Sequence, residues 1–217
     1  MGSQTILDLI GSTVVFATLM LIALRLNGGT MEHLQSFRED LIVQEDLVAV
    51  SDLIEYDFRK IGYCKDFTVI TSPTDAIRYA DTSRIVFWTD FATSQYGSGY
   101  DGDGVLDSLT YYIGPESELS VTPNPHDRLL YRVQNNATPI GVNMGVTTFN
   151  IQYYDALHNR LTTPVDSCKK IQFLQITIQV EHPTKWTKYY NTATFDTVYQ
   201  SAYWRQVRLV AKNFDNR

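Results

Sequence analysis

Three aspartates, Asp101, Asp103 and Asp107, stand in D-x-D-G-x-x-D spacing inside the stretch YGSGYDGDGVLDSLTYY. Carboxylates at alternate positions of a glycine-turned loop are hard oxygen donors. Calcium takes about six to eight such donors at about 2.3–2.6 Å. The spacing predicts a calcium loop. The three side chains and the Val105 carbonyl would supply ligands, and water or Asp90 would complete the shell. The twelve-residue EF-hand is excluded, because its last ligand place falls on Tyr112. The competing reading is a solvated turn between IVFWTDF and SLTYYIG, since Asp-Gly pairs are strong turn formers. Neither reading makes the loop catalytic; an ion there would stiffen it.

A fourth carboxylate raises a different question. Asp8 stands at the head of an apolar run, and Leu9 to Leu24 carries no charge. A helix that spans a membrane needs about 20 mostly apolar residues, and Ile6 to Leu26 supplies that length. An acid inside such a helix costs about 2.5–3.5 kcal/mol at mid-membrane and less near its end, so it calls for a partner. The nearest cation is an α-amino group, its own or a neighbouring copy's. Identical helices stacked with an axial offset bring one chain's amine beside the next chain's Asp8. That contact is heterologous and does not close, which is the geometry of a filament. Gly11, Ser12, Thr13, Ala17 and Thr18 are small enough to let such helices approach closely. An ordinary signal anchor and a soluble core helix are the competing readings. A cleaved secretory signal fits less well: no Lys or Arg precedes the run and no clear small-residue cleavage site follows it.

Other chemistry is sparse. The four histidines (His33, His126, His158, His182) are scattered, with no H-x-x-x-H pair. There is no G-x-S-x-G and no P-loop. GSGYDGDG lacks the lysine and the following helix that a phosphate loop requires. The chain therefore reads as a non-enzyme. Net charge is −6 with no basic run, which disfavours nucleic acid as a partner. Asn136 begins an N-A-T glycosylation acceptor, a short and weakly specific pattern.

The elements that hold these residues follow from periodicity. Gly28-Gly29 interrupts the first helix, at about 1 kcal/mol per glycine, and Thr30 is placed to cap a second helix. Leu34, Phe37, Leu41, Leu47, Val50, Ile54, Phe58 and Ile61 then recur at three and four, an apolar helical stripe facing a sheet. Gly62, after Arg59 and Lys60, is a natural helix stop. Past Cys64 the period becomes two. SRIVFWTDF, SLTYYIG, DRLLYRV, TTFNIQYYDAL, KKIQFLQITIQV and YWRQVRLVAKN read as six or seven strands, mostly antiparallel. Fourteen Tyr and ten Phe suit such strands. The layout is α+β: residues 1–27 a hydrophobic helix, 28–63 an amphipathic continuation of the stem, and 64–217 a β-rich head.

Two strings carry a family resemblance. MG before SQTILDLIGSTVVFATLMLIAL resembles the class III signal and helix of type IV pilins and pseudopilins, with Asp8 where that family has an early glutamate. DLIEYDFRKIGY, and the closing VRLVAKN, resemble the helix end and last strand of minor pilins. Here the acid is Asp, and the leader is only Met1-Gly2. The resemblance implies a long helix packed on a mainly antiparallel sheet, and a peptidase cut after Gly2 that exposes the Ser3 amine. It implies assembly through Met1, Gly2, Ser3, Asp8, Gly28 and Gly29. The implied partners are copies of the chain in a helical filament, the inner-membrane assembly machinery, and the cytoplasmic membrane before assembly. The implied product is an extracellular filament at the cell surface, a pilus or fimbrium serving adhesion or secretion. Within the family a minor or secretion pseudopilin fits too. From a different class, a membrane-anchored calcium-dependent binding module or adhesin that never polymerises remains open. If the head is exported, Cys64 and Cys168 can form one disulfide. Closing about 100 residues, it would add roughly 4–5 kcal/mol. Two free thiols are the alternative.

Overall fold

The computed structural model describes residues 2–66, 68–70, 75–91, 102–135, 137–191 and 196–207. Two compact units emerge, residues 1–41 and 42–217.

One helix, α1, runs from Gly2 to Arg59. The break expected at Gly28-Gly29 does not occur, and both glycines are helical. Two glycines cost about 2 kcal/mol together, which intact hydrogen-bonded turns on either side outweigh. Thr30 does not cap a new helix. Its hydroxyl donates back to the Leu26 carbonyl at 2.9 Å. Ser12, Thr13 and Thr18 do the same to carbonyls three or four residues earlier. These hydroxyls are therefore satisfied within the helix and need no outside partner in an apolar medium. In the first unit Leu34, Phe37 and Leu41 of the predicted stripe are exposed.

In the second unit burial begins at Val43. Val43, Val50, Ile54, Phe58 and Ile61 are all buried and belong to one hydrophobic cluster with both sheets. The helix stops as expected. Gly62 takes a φ of 72°, a left-handed conformation that glycine adopts without strain. Its amide then donates to the Trp88 carbonyl at 2.9 Å, tying the helix end to a strand.

Among the described residues there are eight strands in two antiparallel sheets, where one sheet was expected. The first sheet runs β1 (Ile77–Ala80), β2 (Arg84–Thr89), β3 (Asp107–Ile113), β4 (Leu130–Gln134) and β5 (Gly141–Val142), in chain order. The second runs β6 (Val146–Tyr154), β7 (Phe173–Asn191) and β8 (Asp196–Val207). Burial alternates strictly along β3 and, in β6, from Thr148 onward, the pattern of strands with one face on a core. β1 and β5 are short, so the alternation that flags a strand has too few residues to register. Pro183 falls where the β7–β8 register slips between Glu181 and Lys185, as expected for a residue that cannot donate to the ladder. Backbone bonds from Ile151 to Thr82 (2.8 Å) and from Arg128 to Val146 (2.9 Å) link the two sheets.

Candidate functional site: apolar stem, acidic loop and buried ion pair

Among the described residues, α1 is the one helix long and apolar enough to cross a membrane. Its large apolar side chains from Ile6 to Leu26 are all more than half exposed, the least being Met20 at 54%. They point to every side of the helix, so no single packed face can cover them. Fully burying each would gain about 1.5–3 kcal/mol. Such a surface belongs in lipid or among other helices. Asp8 is exposed within it, and no ion partner for it exists among the described residues. Gly2 and Gly11 have open space around them, as a close helix approach requires. Met1, and the side chain of Ser3, lie outside the described residues.

The described part of the acidic loop is organised around a buried carboxylate. Asp90 is fully buried and is its centre. Its carboxylate accepts the amides of Lys65 (2.9 Å), Asp103 (2.8 Å) and Gly104 (2.9 Å). A Cβ at Gly102 would fall on that carboxyl group, so only glycine lets the backbone pass. Asp103 accepts the Val105 amide at 2.9 Å, a local turn. Asp107 accepts the Phe91 amide (3.0 Å) and the Asn135 side-chain amide (2.7 Å). Val105 itself is exposed at 64%. These carboxylates thus face N–H donors. Among the described residues no group of three or more His, Cys, Asp or Glu converges as a metal site. Asp101 lies outside the described residues, as does Asn136.

The expected disulfide is absent: Cys64 and Cys168 are both free. The reason is where each side chain goes. The Cys64 thiol sits 3.7 Å from both an Asp90 carboxylate oxygen and the Gly104 carbonyl. Burial, with the Asp90 charge adding, pushes it above the usual thiol range. Cys168 opens a short 3₁₀ turn, Cys168–Lys170, that packs beside β1. Burial raises its thiol as well.

Sequence reasoning placed Asp57 in a family-like string without giving it a role. It is fully buried in the last turn of α1. It accepts Arg132 Nε (2.5 Å) and Nη2 (3.1 Å) from β4 and the Tyr111 hydroxyl (2.5 Å) from β3. The hydrogen bond to Asp57 holds the Arg132 guanidinium above its ordinary value. Burial, reinforced by Asp57, pushes the Tyr111 phenol far up. Phe58 packs against Phe87 and Tyr111, with ring centres 5.3 and 5.5 Å apart. The signal in the sequence was a lone acid directly beside a core phenylalanine.

A second polar cluster was also missed. Asn124, fully buried, accepts the His126 amide (2.9 Å) and donates to Glu181 (3.0 Å), and His126 Nδ1 lies 3.3 Å from the same Glu181 oxygen. Asp127 is buried beside them, and its Oδ1 has no hydrogen-bond partner.

No protein-family model matches the chain, and no curated protein does. Among solved structures it is similar to a type IV-like pilin from Thermus thermophilus. Identity is 8%, the match covers 79% of this chain and 96% of that one, and the TM-score is 0.42.

Proposed function

We propose that the chain is a structural subunit of an extracellular pilus-like filament, held in the cytoplasmic membrane by α1 before assembly. The observation that supports this reading is the first part of α1: apolar on all sides and exposed from Ile6 to Leu26, with one carboxylate, Asp8, near its start. Small residues on that helix favour packing against its copies. Asp8 neutralises the α-amino group of a neighbouring copy and so sets the axial register. An inner-membrane machine would draw each subunit out of the lipid, and the β-rich unit would form the outer layer. The chain then has no catalytic task. A minor or secretion pseudopilin would use the same parts.

The second reading, a membrane-anchored module that never polymerises, shares the helix but gives Asp8 no duty. The test is electron microscopy of sheared surface material from cells that make the wild-type chain or Asp8→Ala. The expected result is filaments from the wild type and none from the variant, with both proteins present in the membrane fraction. Wild-type cells with no filaments, and protein that stays with the membrane, would favour the anchored module.

A further inference from the structure

Among the exposed charged side chains of the 42–217 unit that form no ion pair among the described residues, four fall into two like-charged pairs. On α1, Glu45 and Asp52 are exposed and form no ion pair among the described residues. Seven residues apart, they lie on one helical face, with exposed Val48 (56%) and Ala49 between them. This face is opposite the one that enters the core. On the outer face of the first sheet, Arg78 and Arg84 are exposed and equally unpaired among the described residues.

Both arginines are held in place by aromatic rings. The Arg78 guanidinium lies 5.6 Å from the Trp88 ring centre. Arg84 sits between Tyr79 (5.5 Å) and Tyr112 (5.8 Å). Rings attract a guanidinium by their quadrupole and leave its N–H donors free at the edge. A carboxylate can take two of those donors at once.

The spacings agree. Glu45 and Asp52 are separated by about 10 Å at 1.5 Å per helical residue. Trp88, which carries Arg78, and Arg84 are separated along β2 by about 13 Å at 3.3 Å per residue. The difference is within the reach of these side chains. An apolar strip flanked by two acids thus matches an aromatic strip flanked by two arginines.

We propose that these surfaces are the two halves of one contact between copies of the chain: the outward face of α1 around Glu45–Asp52 on one copy docks on the outer face of β1 and β2, at Arg78 and Arg84, of the next. Because two different patches meet, the contact propagates without closing. The inference rests on the filament reading and adds a second, water-exposed interface to the membrane-derived one.

Complementary charge reversal tests it in the full-length protein. Arg78→Glu with Arg84→Glu, and separately Glu45→Arg with Asp52→Arg, should each lower filament yield by about tenfold or more, since facing like charges cost several kcal/mol. All four reversals together should restore it. Circular dichroism melts of every variant check folding. A set that fails to fold is replaced by Arg84→Gln and Asp52→Asn, which should lower yield and remove the salt sensitivity of the filaments. The inference is overturned if wild-type filaments form and the reversals leave yield unchanged, or if the fourfold variant is no better than either pair. An absence of wild-type filaments overturns the filament reading itself, and the inference with it.

Discussion

Arg132 Nε lies 2.5 Å from Asp57 Oδ2, and the two residues join the end of α1 to β4 across 75 positions of sequence. The carboxylate is fully buried, and the guanidinium is about one-third exposed. Removing one partner of such a pair leaves a buried charge, at about 3–5 kcal/mol. Arg132→Ala should therefore lower the unfolding free energy by about that amount. Asp57→Asn with Arg132→Leu should cost markedly less, because neither residue then buries a charge. Urea titrations of the three proteins in detergent would measure this. A double variant as damaged as Arg132→Ala would show that packing, not charge, sets the cost.

Gly102 and Asp90 form the second dependence. A side chain at position 102 would collide with the Asp90 carboxyl that three backbone amides share. Gly102→Ala should destabilise by about 1–3 kcal/mol through overpacking. Asp90→Ala should cost at least as much, by stranding buried N–H donors. In thermal melts, a Gly102→Ala protein with the wild-type midpoint would contradict the close approach.

For the acidic loop, the carboxylate oxygens already accept amide protons. Calcium and chelator should therefore leave the melting temperature of the wild-type protein unchanged. A rise with calcium that Asp103→Asn abolishes would instead establish an ion site there, with Asp101 as the ligand to test next.

Asp127 gives a pH signature. Burial raises its carboxyl above the ordinary range and nearby Glu181 adds to this, against lowering by Thr122 and His126. A raised native value means the folded state binds the proton more tightly than the unfolded one. The contribution is then fully present below the unfolded value of about 3.9 and is lost as pH rises through the native value. Asp127→Asn should gain stability relative to wild type as pH rises from about 4 towards neutrality. Unfolding curves at a series of pH values would test it, and a difference independent of pH would remove Asp127 from the account.

Much of this architecture can be read from local pattern. The apolar run from Ile6 to Leu26 dictates a stem by composition alone. The three-and-four recurrence of Val50, Ile54, Phe58 and Ile61 dictates a buried helical face, and Gly62 dictates its end. The two-residue alternation dictates the main strands. Local pattern misled at Gly28-Gly29, where helix propensity argues for a break of a kind that a continuous hydrogen-bond ladder resists. It misled again at Cys64 and Cys168, where pairing depends on side-chain direction and not on count.

What the sequence by itself determined is which residues are apolar, in what period, and hence which segments are helix and strand. Only the tertiary structure decided that the strands divide into two sheets, that Asp57 meets Arg132, and that Asp90 gathers amides from Lys65 and Gly104. The reason is physical. Periodicity acts within a few residues, whereas a buried charge is satisfied by whichever partner the folded chain brings to hydrogen-bonding distance, however far off in sequence.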